Sequence, residues 1–174
     1  MDAVVAAAGE IPLLELPPAP HRPFGGRGAL RRRMRVLRRG VPLRDLRASR
    51  RTLAAPELPV VTSHGDLHRG NVLVSGAAAW VVDWELSGRR PAGYDLMQFW
   101  ATLPAPADRE RLLESALASM GPEHREALFR LRHALVVRTI ASKLSAPMDF
   151  DRDPAGAEAL LELLPAVRAE AGLG

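Results

Sequence analysis

The run HGDLHRGNVLV, residues 64–74, places two histidines, an aspartate, an asparagine and two glycines in its first eight positions, directly between apolar stretches. Two short β-type segments follow, NVLV over 71–74 and AWVVDW over 79–84, separated by SGAAA with its turn-capable glycine. Such a pattern reads as a β-hairpin. The hairpin fixes a geometry: Asn71 stands at the start of the first strand and Asp83 near the end of the second, so antiparallel pairing brings both to one open end. Asp66 arrives at the same end from the loop. An amide oxygen and a carboxylate beside a second carboxylate suit a hard cation such as Mg²⁺, which takes one or two carboxylates and leaves its other positions to water and phosphate. Asp66 is then left for another task.

Around this small β element the chain reads as helical. Residues 11–26 carry five prolines and end in a glycine pair, which predicts an extended connector. From Gly28, Leu30, Met34, Leu37 and Val41 recur at i, i+4, i+7 and i+11 while Arg31, Arg35, Arg38 and Arg39 line another face, the pattern of an amphipathic helix that Pro42 ends. A second short helix is expected over Arg44 to Ala54, and Pro56 and Pro59 then hand the chain to an extended VVTS. Beyond SGRRPAG, helices are expected over Tyr94 to Leu103, Asp108 to Met120, Glu123 to Leu144 and Glu158 to Glu170, with the acidic loop PMDFDRDPAG before the last. Trp80, Trp84, Phe99 and Trp100 are expected in the core beside the hairpin.

Composition removes several function classes. A chain of 174 residues, 47% of them hydrophobic, is long enough for one folded domain with a sizeable core. Without cysteine it has neither disulfides nor thiolate metal ligands, which fits a reducing compartment. The N-terminal stretch has an acidic second residue and no basic region, so it is a poor signal peptide, and no apolar run approaches a membrane span. A cytoplasmic location without a membrane partner is expected. Residues 27–51 hold eleven arginines against the single acid Asp45, so the remainder of this +4 chain is acidic. That segment also carries an apolar packing stripe and no aromatic residue for base stacking, so a solvated helix face is expected and nucleic acid is not the expected partner.

His64-x-Asp66-x-x-x-x-Asn71 has the spacing of a kinase catalytic loop, and Asp83 after a hydrophobic strand matches the metal-binding aspartate that follows it. In the form HGDLHRGNVLV…VVDWE the pattern resembles the aminoglycoside phosphotransferase and choline kinase branch of the protein-kinase-like fold, enzymes that move the γ-phosphate of a nucleoside triphosphate to a small-molecule hydroxyl. The resemblance implies roles. Asp66 would orient the acceptor hydroxyl and take its proton, Asn71 and Asp83 would hold Mg²⁺ on the phosphates of ATP or another nucleoside triphosphate, and His64 would brace the loop. Asp95, in GYDLMQF, resembles the buried aspartate that ties this loop to a helix, although Pro91 to Asp95 is one residue longer than the usual spacing and Arg90 precedes the proline. Arg69 stands where these families commonly have proline. His68 and Glu85 are candidate contacts to substrate or to the groups around the metal; for Glu85 a solvated carboxylate or half of an ion pair is the stronger expectation.

The implied fold is α+β and mostly helical: the C-terminal lobe of the protein-kinase-like fold over 27–174, with 1–26 as connector or hinge remnant. A kinase-like enzyme also needs a nucleotide-covering lobe with a strand lysine. Such a lobe takes on the order of sixty residues beyond the connector. Only 63 residues precede His64, and those from about 28 to 54 read as helix. The only lysine, Lys143, lies after Asp83 in a helical pattern, and no strand–lysine unit follows FGGRG at 24–28. A truncated phosphotransferase is therefore expected, and the missing lobe counts against activity of the chain alone; a non-catalytic kinase-like binding module is the alternative. Asp149, Asp151 and Asp153 could face a cationic acceptor or form an ordinary exposed loop.

Overall fold

The computed structural model describes residues 29–76, 78–145 and 153–174. The expected connector at 1–26, FGGRG at 24–28, and Asp149 and Asp151 lie outside them. In chain order the elements are α1 (Ala29–Arg38), α2 (Leu43–Ala54), β1 (Val60–Ser63), β2 (Val72–Ser75), β3 (Ala78–Val81), β4 (Gly88–Pro91), α3 (Tyr94–Trp100), α4 (Pro106–Met120), α5 (Arg125–Ser145) and α6 (Pro154–Glu170). Single 3₁₀ turns occupy Arg69–Asn71, Trp84–Leu86 and Pro122–His124. The described residues divide into two compact units, 56–128 and 29–55 with 129–174.

The first unit carries both β ribbons. The expected hairpin forms from β2 and β3, paired antiparallel with Val72 opposite Val81 and Ser75 opposite Ala78. It is shorter than its apolar run because Asp83 takes a left-handed conformation, φ 64°, and the chain turns into Trp84–Leu86. A second ribbon was not expected. The VVTS strand, β1, pairs antiparallel with β4, GRRP, in the register Val60–Pro91 to Ser63–Gly88. Pro91 lacks an N–H but sits at the end of a two-stranded ribbon, where no donor is required of it. In the same unit Leu58, Leu67, Tyr94, Met97, Phe99, Trp100, Leu112 and Leu128 are buried.

Two of the four expected core aromatics are not in the core. Phe99 and Trp100 are buried, but Trp80 is 52% and Trp84 38% exposed. Trp80 faces Leu73, itself 54% exposed, across a ribbon only four residues long. Two short strands have too little area to bury a large side chain without a further layer upon them.

In the second unit α1 and α2 place Val36, Val41, Leu46 and Leu53 inside and expose Arg35, Arg38, Arg39, Arg44, Arg47, Arg50 and Arg51. Asp45 is the exception on that segment. It is buried, its carboxylate taking Arg168 Nε at 2.8 Å, Arg168 Nη2 at 2.6 Å and His133 Nε2 at 3.0 Å. Ser49 Oγ donates to the Ala134 carbonyl at 3.0 Å, and Arg132 pairs with Glu170. Residues 131–137 of α5 are buried on every side, so this stretch of helix lacks an exposed face. Asp153 caps α6 by accepting the Gly156 N–H at 2.8 Å, starting the helix at Pro154, four residues before the expected Glu158.

Candidate active site

The loop between β1 and β2 is held by backbone hydrogen bonds to side chains. The His64 N–H donates to Asp95 Oδ2 at 2.7 Å and the Gly65 N–H to Asp95 Oδ1 at 2.9 Å. One carboxylate at the start of α3 thus satisfies two consecutive donors of a turn that cannot pair with a strand. Asp95 is buried. Burial pushes its carboxyl above the ordinary aspartate range, against the two N–H bonds and the Arg90 charge, which favour the ionised form. Gly65 is obligatory in this arrangement: its φ is +84°, and a Cβ there would lie 2.2 Å from the Leu86 carbonyl oxygen.

His64 is buried and braces the loop from inside. Its Nδ1 accepts the Asp66 N–H at 3.3 Å and its Nε2 lies 2.8 Å from the Val82 carbonyl. The imidazole therefore carries its proton on Nε2, the tautomer that serves both neighbours. Its ring meets Trp84 edge-on at 4.8 Å, and the Trp84 indole N–H donates to Val81 O at 2.8 Å. The half-exposed indole is a wall for the histidine rather than core filling.

Asp66, whose side chain is 37% exposed, follows. Its Oδ1 accepts Gln98 Nε2 at 2.8 Å, while Oδ2 lies 3.8 Å from His68 Nε2. His68 Nδ1 accepts the Gly70 N–H at 3.0 Å, which puts its proton on Nε2, the atom nearer Asp66. Asn71 is buried and its Nδ2 donates to the Asp66 carbonyl at 3.0 Å, leaving Oδ1 as the amide's acceptor atom.

Asp83 reaches this end of the hairpin through the backbone. The Val82 N–H donates to Asn71 O at 3.0 Å, one residue beyond the β2–β3 ladder, and Asp83 follows. It has the only positive φ outside glycine among the described residues, a conformation aspartate tolerates better than most residues and one found disproportionately at functional sites. Asp83 and Glu85 are both exposed. Among the described residues no three His, Cys, Asp or Glu side chains are grouped to hold a metal. An amide oxygen and one carboxylate instead match a cation that keeps most of its positions for water and phosphate, as Mg²⁺ does.

His64, Asp66, His68, Asn71 and Asp95 are thus brought together directly and Asp83 by strand pairing, while no bond ties Glu85 to them. Sequence reasoning missed two residues here. Gln98 touches Asp66 itself. Arg90 is buried, lies 5.2 Å over the Tyr94 ring, donates weakly to the Leu86 carbonyl at 3.4 Å, and would stand 3.0 Å from a Cβ on Gly65. Its Nε and Nη1 have no hydrogen-bond partner among the described residues. Burial lowers its pKa, and the Asp95 and Asp66 charges oppose that. Gln98 had one readable signal, its i+3 spacing from Asp95 on one helix.

Three comparisons bear on this arrangement. The phosphotransferase enzyme family matches residues 2–132. A solved structure of a choline/ethanolamine kinase family protein from Mesorhizobium loti superimposes with a TM-score of 0.52 at 21% identity, covering 99% of this chain and 57% of its own. At that identity the likeness is one of fold, and it fits a C-terminal lobe. The chain spans little more than half the length of the solved protein it matches. No curated protein matches. Among the described residues no helix is long and apolar enough to cross a membrane.

Proposed function

The chain belongs to the phosphotransferase enzyme family, and from that premise we propose that it carries the half of an ATP-dependent phosphotransferase site that activates a small-molecule hydroxyl. The observation that carries this reading is the fixed carboxylate of Asp66, held at Oδ1 by Gln98 on a loop tied down by Asp95. In the proposed step Asp66 Oδ2 takes the proton of the acceptor hydroxyl as its oxygen bonds to the γ-phosphorus. The bond from that phosphorus to the β,γ-bridging oxygen breaks and ADP leaves with the electron pair. Asn71 Oδ1 and the Asp83 carboxylate are the atoms that would hold Mg²⁺. Bound there, the ion would neutralise charge on the phosphates. Neither His64 nor Asp95 reacts; their bonds keep Asp66 in place.

Phosphoryl transfer from radiolabelled ATP with Mg²⁺ to choline, ethanolamine and kanamycin tests the proposal. Asp66→Asn should lower the rate at least about a hundredfold, the lower range for a general base. Equal rates in the two proteins would exclude Asp66 from the role. A non-catalytic binding module is a second reading, favoured by one observation: the chain's one lysine, Lys143, is engaged by Asp153 at 2.7 Å. Mg²⁺-dependent ATP binding that Asp83→Asn abolishes, with no transfer to any acceptor, would decide for the module.

A further inference from the structure

We propose that Gln98 is a positioning residue for Asp66, fixing one carboxylate oxygen so that the other faces the acceptor hydroxyl. The inference rests on the phosphotransferase reading above. Helix α3 grips three consecutive loop residues with two side chains one turn apart. Asp95 takes the N–H groups of His64 and Gly65, and Gln98 donates to the side chain of Asp66. The loop is thus secured twice, once at its backbone and once at its reactive group.

The chemistry of the amide makes the second contact directional. A glutamine can offer the carboxylate either its N–H₂ or its oxygen, and an ionised Asp66 accepts only the donor, so Nε2 is the atom turned toward it. Oδ1 is then occupied. Oδ2 lies 3.8 Å from His68 Nε2, beyond hydrogen-bonding distance, and is the oxygen left to receive a proton. An aspartate without such a tether rotates broadly about its terminal bond, and each rotation removes Oδ2 from the acceptor.

The other end of the same side chain separates positioning from structural support. Gln98 Oε1 is buried and has no hydrogen-bond partner among the described residues. A buried carbonyl oxygen without a donor destabilises the fold. An apolar residue of similar length would remove that defect and fold at least as well. The glutamine is therefore poorly explained by stability and well explained by its contact with Asp66.

The test compares Gln98→Leu and Gln98→Met with wild type in the full 174-residue chain, using whichever of choline, ethanolamine and kanamycin the wild type phosphorylates. Expected are a kcat lower by on the order of tenfold to a hundredfold, a KM for Mg-ATP within about twofold, and an unchanged or higher Tm. Gln98→Glu, which sets a second carboxylate against Asp66, should lose more kcat than either. A kcat for Gln98→Leu and Gln98→Met within about twofold of wild type would overturn the proposal, and so would losses that track a lower Tm. A wild type with no Asp66-dependent transfer defeats the phosphotransferase reading itself and takes this inference with it. An active, Asp66-dependent wild type indifferent to residue 98 defeats this inference alone.

Discussion

Replacing Asp95 by asparagine should release the loop that carries Asp66 while leaving side-chain volume almost unchanged. In the native protein both carboxylate oxygens accept backbone N–H groups, at 2.7 Å from His64 and 2.9 Å from Gly65, in a site where Asp95 is 7% exposed. An asparagine retains one acceptor and turns an NH₂ toward the other N–H. One charge-assisted bond is lost, about 1.5–3 kcal/mol, and a buried donor is left unsatisfied, about 1–3 kcal/mol. These terms overlap, so about 3 kcal/mol is the working figure for the loop, equivalent to roughly a hundredfold in an opening equilibrium. A global melting curve reports the whole of both compact units and does not isolate the opening of one loop. Hydrogen exchange at the His64 and Gly65 amides reads the local opening directly. Both should lose about two orders of magnitude of protection in Asp95→Asn, while core amides of α5 keep theirs. Protection within about threefold of wild type would show that Asp95 does not hold the loop.

Gly65→Ala should be at least as damaging: a left-handed alanine costs about 1–2 kcal/mol before the Cβ meets the Leu86 carbonyl at 2.2 Å, so the loop must move and Asp66-dependent transfer should disappear. Retained transfer in a folded Gly65→Ala protein would refute the geometry. Stability should fall as pH drops from about 7.5 to about 5.5, because burial holds His133 below its ordinary value despite its bond to Asp45, with the Arg168 charge acting in the same sense. Below an ordinary histidine pKa of about 6.5 the unfolded chain binds a proton that the folded one refuses, so the unfolding free energy decreases. Burial alone would raise Asp45, but its bonds to Arg168 and His133 leave it lowered, so its own loss begins only below about 3.8. His133→Gln should flatten the Tm slope over the upper window, and an unaltered slope would count against the assignment. Arg44→Gln, Arg47→Gln and Arg51→Gln, all on the exposed face of α2, should each move stability by less than about 0.5 kcal/mol in chemical denaturation.

What could be read in advance divides according to whether its cause is local. The spacing from His64 to Asn71 is a property of one loop, and the hairpin that carries Asn71 and Asp83 to one end follows from two apolar runs and a short turn, so both were legible. Strand β4 was not, because GRRP has neither alternation nor β-branched residues, and it becomes a strand by pairing with VVTS some twenty-five residues earlier. Asp83 was legible as a residue type but not as a conformation: the apolar run before it predicts a continuing strand, whereas its left-handed φ ends the strand there. Trp80 misled for the converse reason, since aromatic character signals a preference for burial and says nothing about whether a second layer exists to provide it.

Gln98 lies deepest in this order. No property of glutamine distinguishes a solvated helix position from one whose amide holds a carboxylate 32 residues away in sequence. The assignment becomes readable only after Asp95 is known to grip His64 and Gly65, because the residue one turn along the same helix must then approach whatever follows Gly65 in the chain. That residue is Asp66. A short helix with two polar side chains at i and i+3, the first a buried carboxylate bound to a loop backbone, therefore constrains the second to act on the next loop residue. The placement of Asp66 is specified jointly by the loop and by the helix that clamps it.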